Sequence, residues 1–143
     1  MKRVFLLLMF GLLLCVVKTF GQNISNEGTD FWTVFPTHVP SGSVKNPSYA
    51  NIVVFVTSKF NSEVTVSCGS GYSETKTIPA NTAIGFYVTR SVAYVDLSEQ
   101  NTILINRGIH IEVTSGKPKV SAYAHIYAGL RSAASLILPF ETL

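Results

Sequence analysis

Gly108-Ile109-His110-Ile111-Glu112-Val113-Thr114, then Ser115-Gly116-Lys117-Pro118, then Lys119-Val120-Ser121-Ala122-Tyr123-Ala124-His125-Ile126-Tyr127, is the stretch on which the fold turns. Its two arms alternate in polarity residue by residue. Ile109, Ile111, Val113, Val120, Ala122, Ala124 and Ile126 fall on one side. His110, Glu112, Thr114, Lys119, Ser121, Tyr123, His125 and Tyr127 fall on the other. Successive side chains of a strand point to opposite faces, so this rhythm predicts two half-buried strands. Joined across Ser115–Pro118 with Thr114 facing Lys119, they read as an antiparallel hairpin. That register sets His110 opposite Tyr123, with His125 on the diagonal.

Working outward, the same period recurs in short runs separated by Gly, Pro, Asn and Ser. Phe31 to Phe35 is an aromatic-rich strand ended by Pro36, and Val39 to Ser48 reads as a long loop. Asn51 to Ser58 is apolar on both faces, as a central, doubly covered strand would be. Ser62 to Cys68 alternates, with Val64, Val66 and Cys68 inward, and Gly69-Ser70-Gly71 turns into Tyr72 to Ile78. Pro79-Ala80-Asn81 leads to Ala83 to Val88, where Ile84, Phe86 and Val88 share a face. Val92 to Leu97, Thr102 to Ile105 and Ser135 to Leu138 are further strand-like runs. No capped segment with helical periodicity follows Gln22. Short strands at this spacing predict an all-β antiparallel β-sandwich of immunoglobulin-like type, with an open barrel as the alternative.

The first residues follow a different logic. Lys2 and Arg3 precede an uncharged run from Val4 to Val17, and Thr19-Phe20-Gly21 supplies small residues before a cut between Gly21 and Gln22. This is the pattern of a cleaved secretory signal over residues 1–21, and the apolar run is shorter than the ~20 residues a membrane-spanning helix needs. Residues 22–27 then form a short linker to a module over 28–143. The chain carries 11 Lys and Arg against 8 Asp and Glu, but Lys2, Arg3 and Lys18 leave with the signal. Eight basic residues then balance eight acidic ones, which removes the electrostatic case for a nucleic-acid or anionic-membrane partner. Cys15 departs as well, so Cys68 cannot form an internal disulfide, and the module must rest on its apolar core.

The polar side of the 108–127 stretch is the one cluster with the makings of a site: His110, Glu112, Tyr123, His125 and Tyr127. Two imidazoles and a carboxylate are zinc-ligand types, yet a site needs three or four converging ligands, and His38 is remote in sequence. No metal or other cofactor is expected. No nucleophile elbow or phosphate-cradling glycine loop is present, and the inward phase of Cys68 marks a buried thiol. No catalytic residue is assigned. Tyr123 and Tyr127 carry polar tips on apolar bodies, which suits a contact surface. Trp32, by its size, is expected to be buried.

Gly28-Thr29-Asp30-Phe31-Trp32 with Phe35-Pro36 resembles the opening of the IgG Fc-binding protein N-terminal domain family. So do Gly108 through Ser115, Lys117-Pro118, Val120 through His125, and the small-residue run from Ser132 to Leu138-Pro139. The resemblance covers about residues 28–143 and implies the first portion of a longer domain, truncated at its C-terminus, with further domains of the same chain beyond. Relatives of this kind occur in bacterial secreted and cell-surface proteins, beside adhesive and sorting domains. Taken together, these readings predict a secreted or cell-surface, non-catalytic module for binding or adhesion, whose partner is an extracellular protein or glycan. The alternatives are a spacer domain of a large surface protein, or an extracellular hydrolase or metalloprotein.

Overall fold

The computed structural model describes residues 25–38, 41–43, 46–69, 71–95, 103 and 106–143. The expected export signal, its cut between Gly21 and Gln22, and nearly all of the expected strand at 102–105 lie outside the described residues. In chain order the elements are β1 (Asp30–Thr33), β2 (Ser41–Ser43), β3 (Asn46–Ser48), β4 (Asn51–Thr57), β5 (Ser62–Cys68), β6 (Tyr72–Ile78) and β7 (Ala83–Val88). A single helical turn, α1 (Arg90–Ala93), precedes β8 (Ile109–Val113), β9 (Ser121–Ala128), β10 (Arg131–Ile137) and a 3-10 turn at Phe140–Thr142.

Eight of these strands form two antiparallel four-stranded sheets, and the sheets do not close into a barrel. Sheet I runs β1-β8-β5-β6 and sheet II runs β10-β9-β4-β7. The fold is therefore the all-β sandwich that the alternation predicts. Phe31, Val64, Val66, Cys68, Ile109, Ile111 and Val113 line the inner side of sheet I; Ile52, Val54, Val56, Phe86, Val88, Ala122, Ala124 and Ile126 line that of sheet II. All are buried, and each large one contributes about 1.5–3 kcal/mol by leaving water. β4 is central in its sheet, between β7 and β9. Its outward Val53 is fully buried, packed with Phe55 and Tyr87 over Gly85, so the strand is apolar and covered on both faces at that point.

β8 and β9 do not pair with each other: β8 joins β1 and β5, while β9 joins β4 and β10. The connection over Ser115–Val120 crosses from one sheet to the other. Ser62 Oγ donates to Pro118 O at 2.7 Å and Ser58 Oγ to Lys119 O at 2.8 Å, anchoring the crossing. Alternation fixes only that each strand has one inward face. A hairpin within a sheet and a crossing between two sheets produce the same pattern, so the choice was open to tertiary pairing.

The expected loop at 39–48 contains the β2–β3 pair, with Gly42 opposite Pro47. The expected strand at 92–97 starts inside α1, because one helical turn sets Arg90 over the ring of Tyr94, four residues on, at 4.0 Å. Tyr94 then bridges Phe35, and its hydroxyl donates to His38 O at 2.9 Å.

The ends of the described chain meet. Gly28 pairs with Val120 and Phe31 with Pro139, so three segments of the motif-bearing sequence lie side by side. A Cβ at position 28 would overlap Pro139, which explains a glycine there. Glu141 accepts from Thr29 N at 2.6 Å and Thr29 Oγ1 at 3.2 Å. Burial alone would raise its pKa, but these bonds and its own backbone N–H outweigh that and hold the carboxyl below the usual range. A depressed carboxyl stabilises the fold above its ordinary pKa, and that contribution fades as pH falls through the lowered value.

Candidate functional site

Because β8 and β9 sit in different sheets, the five residues expected to share a site separate. His110 and Glu112 stand on the outer face of sheet I; Tyr123, His125 and Tyr127 stand on the outer face of sheet II. His110 does not oppose Tyr123, and His125 is not its diagonal neighbour.

On sheet I, His110 is cross-strand partner to Trp32 and Ser67, and Glu112 to Asp30 and Thr65. The Trp32 and His110 rings stack with centroids 4.4 Å apart and planes 14° from parallel. His110 Nε2 is 2.8 Å from Asp30 Oδ1, so the imidazole is fixed from two directions. Trp32 is 56% exposed, contrary to the expectation that it would be buried. Phe31 takes the inward position in β1, and alternation leaves its neighbour outside. Hydroxyls complete the face, with Thr65 and Thr75 joined at 2.8 Å and Thr114 donating to Glu63 Oε1 at 2.9 Å.

Sheet II presents a different chemistry. Its outward positions are Asn51, Val53, Phe55 and Thr57 on β4, Ala83, Gly85 and Tyr87 on β7, Ser121, Tyr123, His125 and Tyr127 on β9, and Ser132, Ala134 and Leu136 on β10. None carries a formal charge with histidine neutral. His125 stacks on Tyr127 at 5.2 Å and lies 6.0 Å from the Phe55 ring. Phe55, Tyr87 and Val53 crowd over Gly85, where a Cβ would sit 3.2 Å from Phe55 Cε1; the missing side chain lets these rings lie close to the sheet. Tyr87 is 64% exposed, Tyr123 39% and Leu136 43%. The result is an aromatic platform rimmed by hydroxyls.

Other polar groups have structural work. On β6, Tyr72, Glu74 and Lys76 share the inward phase at the open rim of the sandwich. Tyr72 Oη donates to Glu74 Oε2 at 2.8 Å; Lys76 Nζ reaches Glu74 Oε1 at 3.1 Å and Gly85 O at 2.9 Å, over the Phe86 ring. The Tyr72 hydrogen bond holds the Glu74 carboxyl below its usual range, while burial pushes the Tyr72 phenol up. Cys68 is fully buried, and burial raises its thiol pKa despite the nearby Arg107 guanidinium, which describes an unreactive thiol. Beneath β10, Val34, Phe35, Pro36, Ala124, Ile126 and Ala133 line an open apolar groove of about 220 Å³. Among the described residues no three His, Cys, Asp or Glu side chains gather as metal ligands, and no helix is long and apolar enough to cross a membrane.

Asp30, Trp32, Phe55 and Tyr87 lie outside the site expected from sequence, although their phase is readable there. Trp32 adjoins the inward Phe31, and Tyr87 lies between Phe86 and Val88, which share the opposite face. Compared with family models, curated proteins and solved structures, the chain matches none.

Proposed function

We propose that this chain is an extracellular, non-catalytic binding or adhesion module that engages a protein or glycan through the outer face of sheet II. The observation that carries this reading is the uncharged platform of Phe55, Tyr87, Tyr123, His125 and Tyr127, with Tyr87 and Tyr123 exposed and the other rings half-buried beside them. Aromatic rings with polar tips offer large contact area at small cost in side-chain freedom, and contact surfaces are enriched in them and depleted of charge at their centre. The signal-like residues 1–21 support export, and a fold resting on its core without a disulfide tolerates that destination. The likeness of residues 28–143 to the IgG Fc-binding protein N-terminal domain family points to the same use, as the opening part of a larger bacterial secreted or surface protein.

The test is retention of the chain from Gln22 onward on immobilised immunoglobulin Fc, a mucin glycoprotein and a glycan array. Retention on at least one surface is expected. The triple variant Tyr87→Ala, Tyr123→Ala and His125→Ala should weaken it at least ~30-fold, the equivalent of losing one strong contact residue, with the circular dichroism unchanged. Retention on none of the three, or equal retention of the variant, would overturn the reading and leave a spacer domain.

A further inference from the structure

We propose that the outer face of sheet I is a second binding surface, one that takes arginine or lysine side chains from a basic, extended segment of a protein partner. Trp32 is the only tryptophan in the chain. A large indole left 56% exposed on a strand has given up the burial that usually stabilises it. Its orientation is set nonetheless. One side stacks on His110 at 4.4 Å, and His110 is held by Asp30 Oδ1 at 2.8 Å, so the ring is ordered before any partner arrives.

Charge says what the partner carries. The outward positions of sheet I are Asp30 and Trp32, His110 and Glu112, Glu63, Thr65 and Ser67, and Ser73, Thr75 and Thr77. Three are carboxylates and none is Lys or Arg. Eight acidic residues balance eight basic ones after position 21, so this is segregation of charge and not an acidic composition. An aromatic face is negative above its plane and attracts a cation within about 6 Å of the ring centre. Asp30 and Glu112 are directly paired across β1 and β8, one step along the outer face from the Trp32–His110 pair. A guanidinium lying on the indole therefore has carboxylates within reach of its N–H groups. Asp30 and Glu112 adjoin, but among the described residues no third side chain of a ligand type gathers with them to hold a metal, which suits a row of side chains and not a single metal ion. A neutral glycan would use the ring but leave the carboxylates' charge unanswered.

Because Trp32 is the sole tryptophan, its emission reports this face directly. The chain from Gln22 onward would be titrated with acetyl-Gly-Arg-Gly-Arg-Gly-amide, with the Gln-for-Arg peptide, and with maltohexaose. A saturable change is expected with the arginine peptide alone, weakening as ionic strength rises from ~0.01 to ~0.15 M. Glu112→Gln should weaken it about fivefold by removing one exposed ion pair. The triple variant of the sheet II platform should leave it unchanged, so failure here and failure of the sheet II reading are distinguishable. No change in emission, an equal response to the glutamine peptide, or a salt-independent response to maltohexaose would each overturn the proposal.

Discussion

Val54→Asp is expected to abolish the cooperative unfolding transition of the chain from Gln22 onward and to remove its β-sheet circular dichroism at room temperature. Val54 is fully buried on the central strand of sheet II, with Phe86 and Ala124 as its cross-strand neighbours. No basic side chain stands in either register position, so the new carboxylate would be unpaired. Isolating a charge in such a place costs about 3–5 kcal/mol even after the protein relaxes or the group takes up a proton. That is all or most of the stability of a small domain at the lower end of the usual ~5–15 kcal/mol. Val64 is an equally buried but poorer choice, because its partner on β6 is Lys76, whose ammonium could meet the new charge. Ser132→Asp, exposed on β10, is the matched control and should shift stability by no more than ~0.5 kcal/mol. A native-like transition for Val54→Asp would contradict the assignment of the core.

Phe31→Ala should destabilise the chain by about 3–5 kcal/mol, read from the urea midpoint, while Trp32→Ala next to it should cost only ~1 kcal/mol. Phe31 has no exposure, pairs with Ile111 across β8, and bridges Pro139 beyond the end of β10. Truncating it leaves a cavity where β1, β8 and the segment after β10 meet. Trp32 loses a stack on His110 and little else, because most of its surface already faces water. The contrast between neighbours is the informative part. Equal losses, or a larger loss at Trp32, would mean that the phase of β1 is reversed.

That phase shows how far sequence reasoning reaches. Where one face of a strand is uniformly apolar, as in Val64, Val66 and Cys68 of β5 or Ile84, Phe86 and Val88 of β7, bounds and inward side chains follow directly from alternation; β6 shows its bounds, but its inward Tyr72, Glu74 and Lys76 give no apolar signal. Alternation carries no information about which strand lies alongside. The turn at Ser115–Pro118 therefore read equally well as a hairpin, and the candidate site built on that pairing divided between two faces. The short α1 turn eluded the pattern because four residues are too few to express a helical period. The size of Trp32 argues for burial, but the inward Phe31 beside it dictates the opposite, and phase wins. The outward aromatics of sheet II were legible singly, but their assembly into one platform depends on the β4–β7 and β4–β9 registers.

Both proposed binding faces require β8 and β9 to look away from each other, and a distance measures that directly. Spin labels at His110→Cys and His125→Cys, with Cys68 replaced by Ala, should lie more than ~20 Å apart, as two sheets packed ~10 Å apart with outward side chains require. A separation within ~10 Å, the diagonal spacing of a single hairpin, would contradict the two-faced architecture and reunite the two histidines in one site.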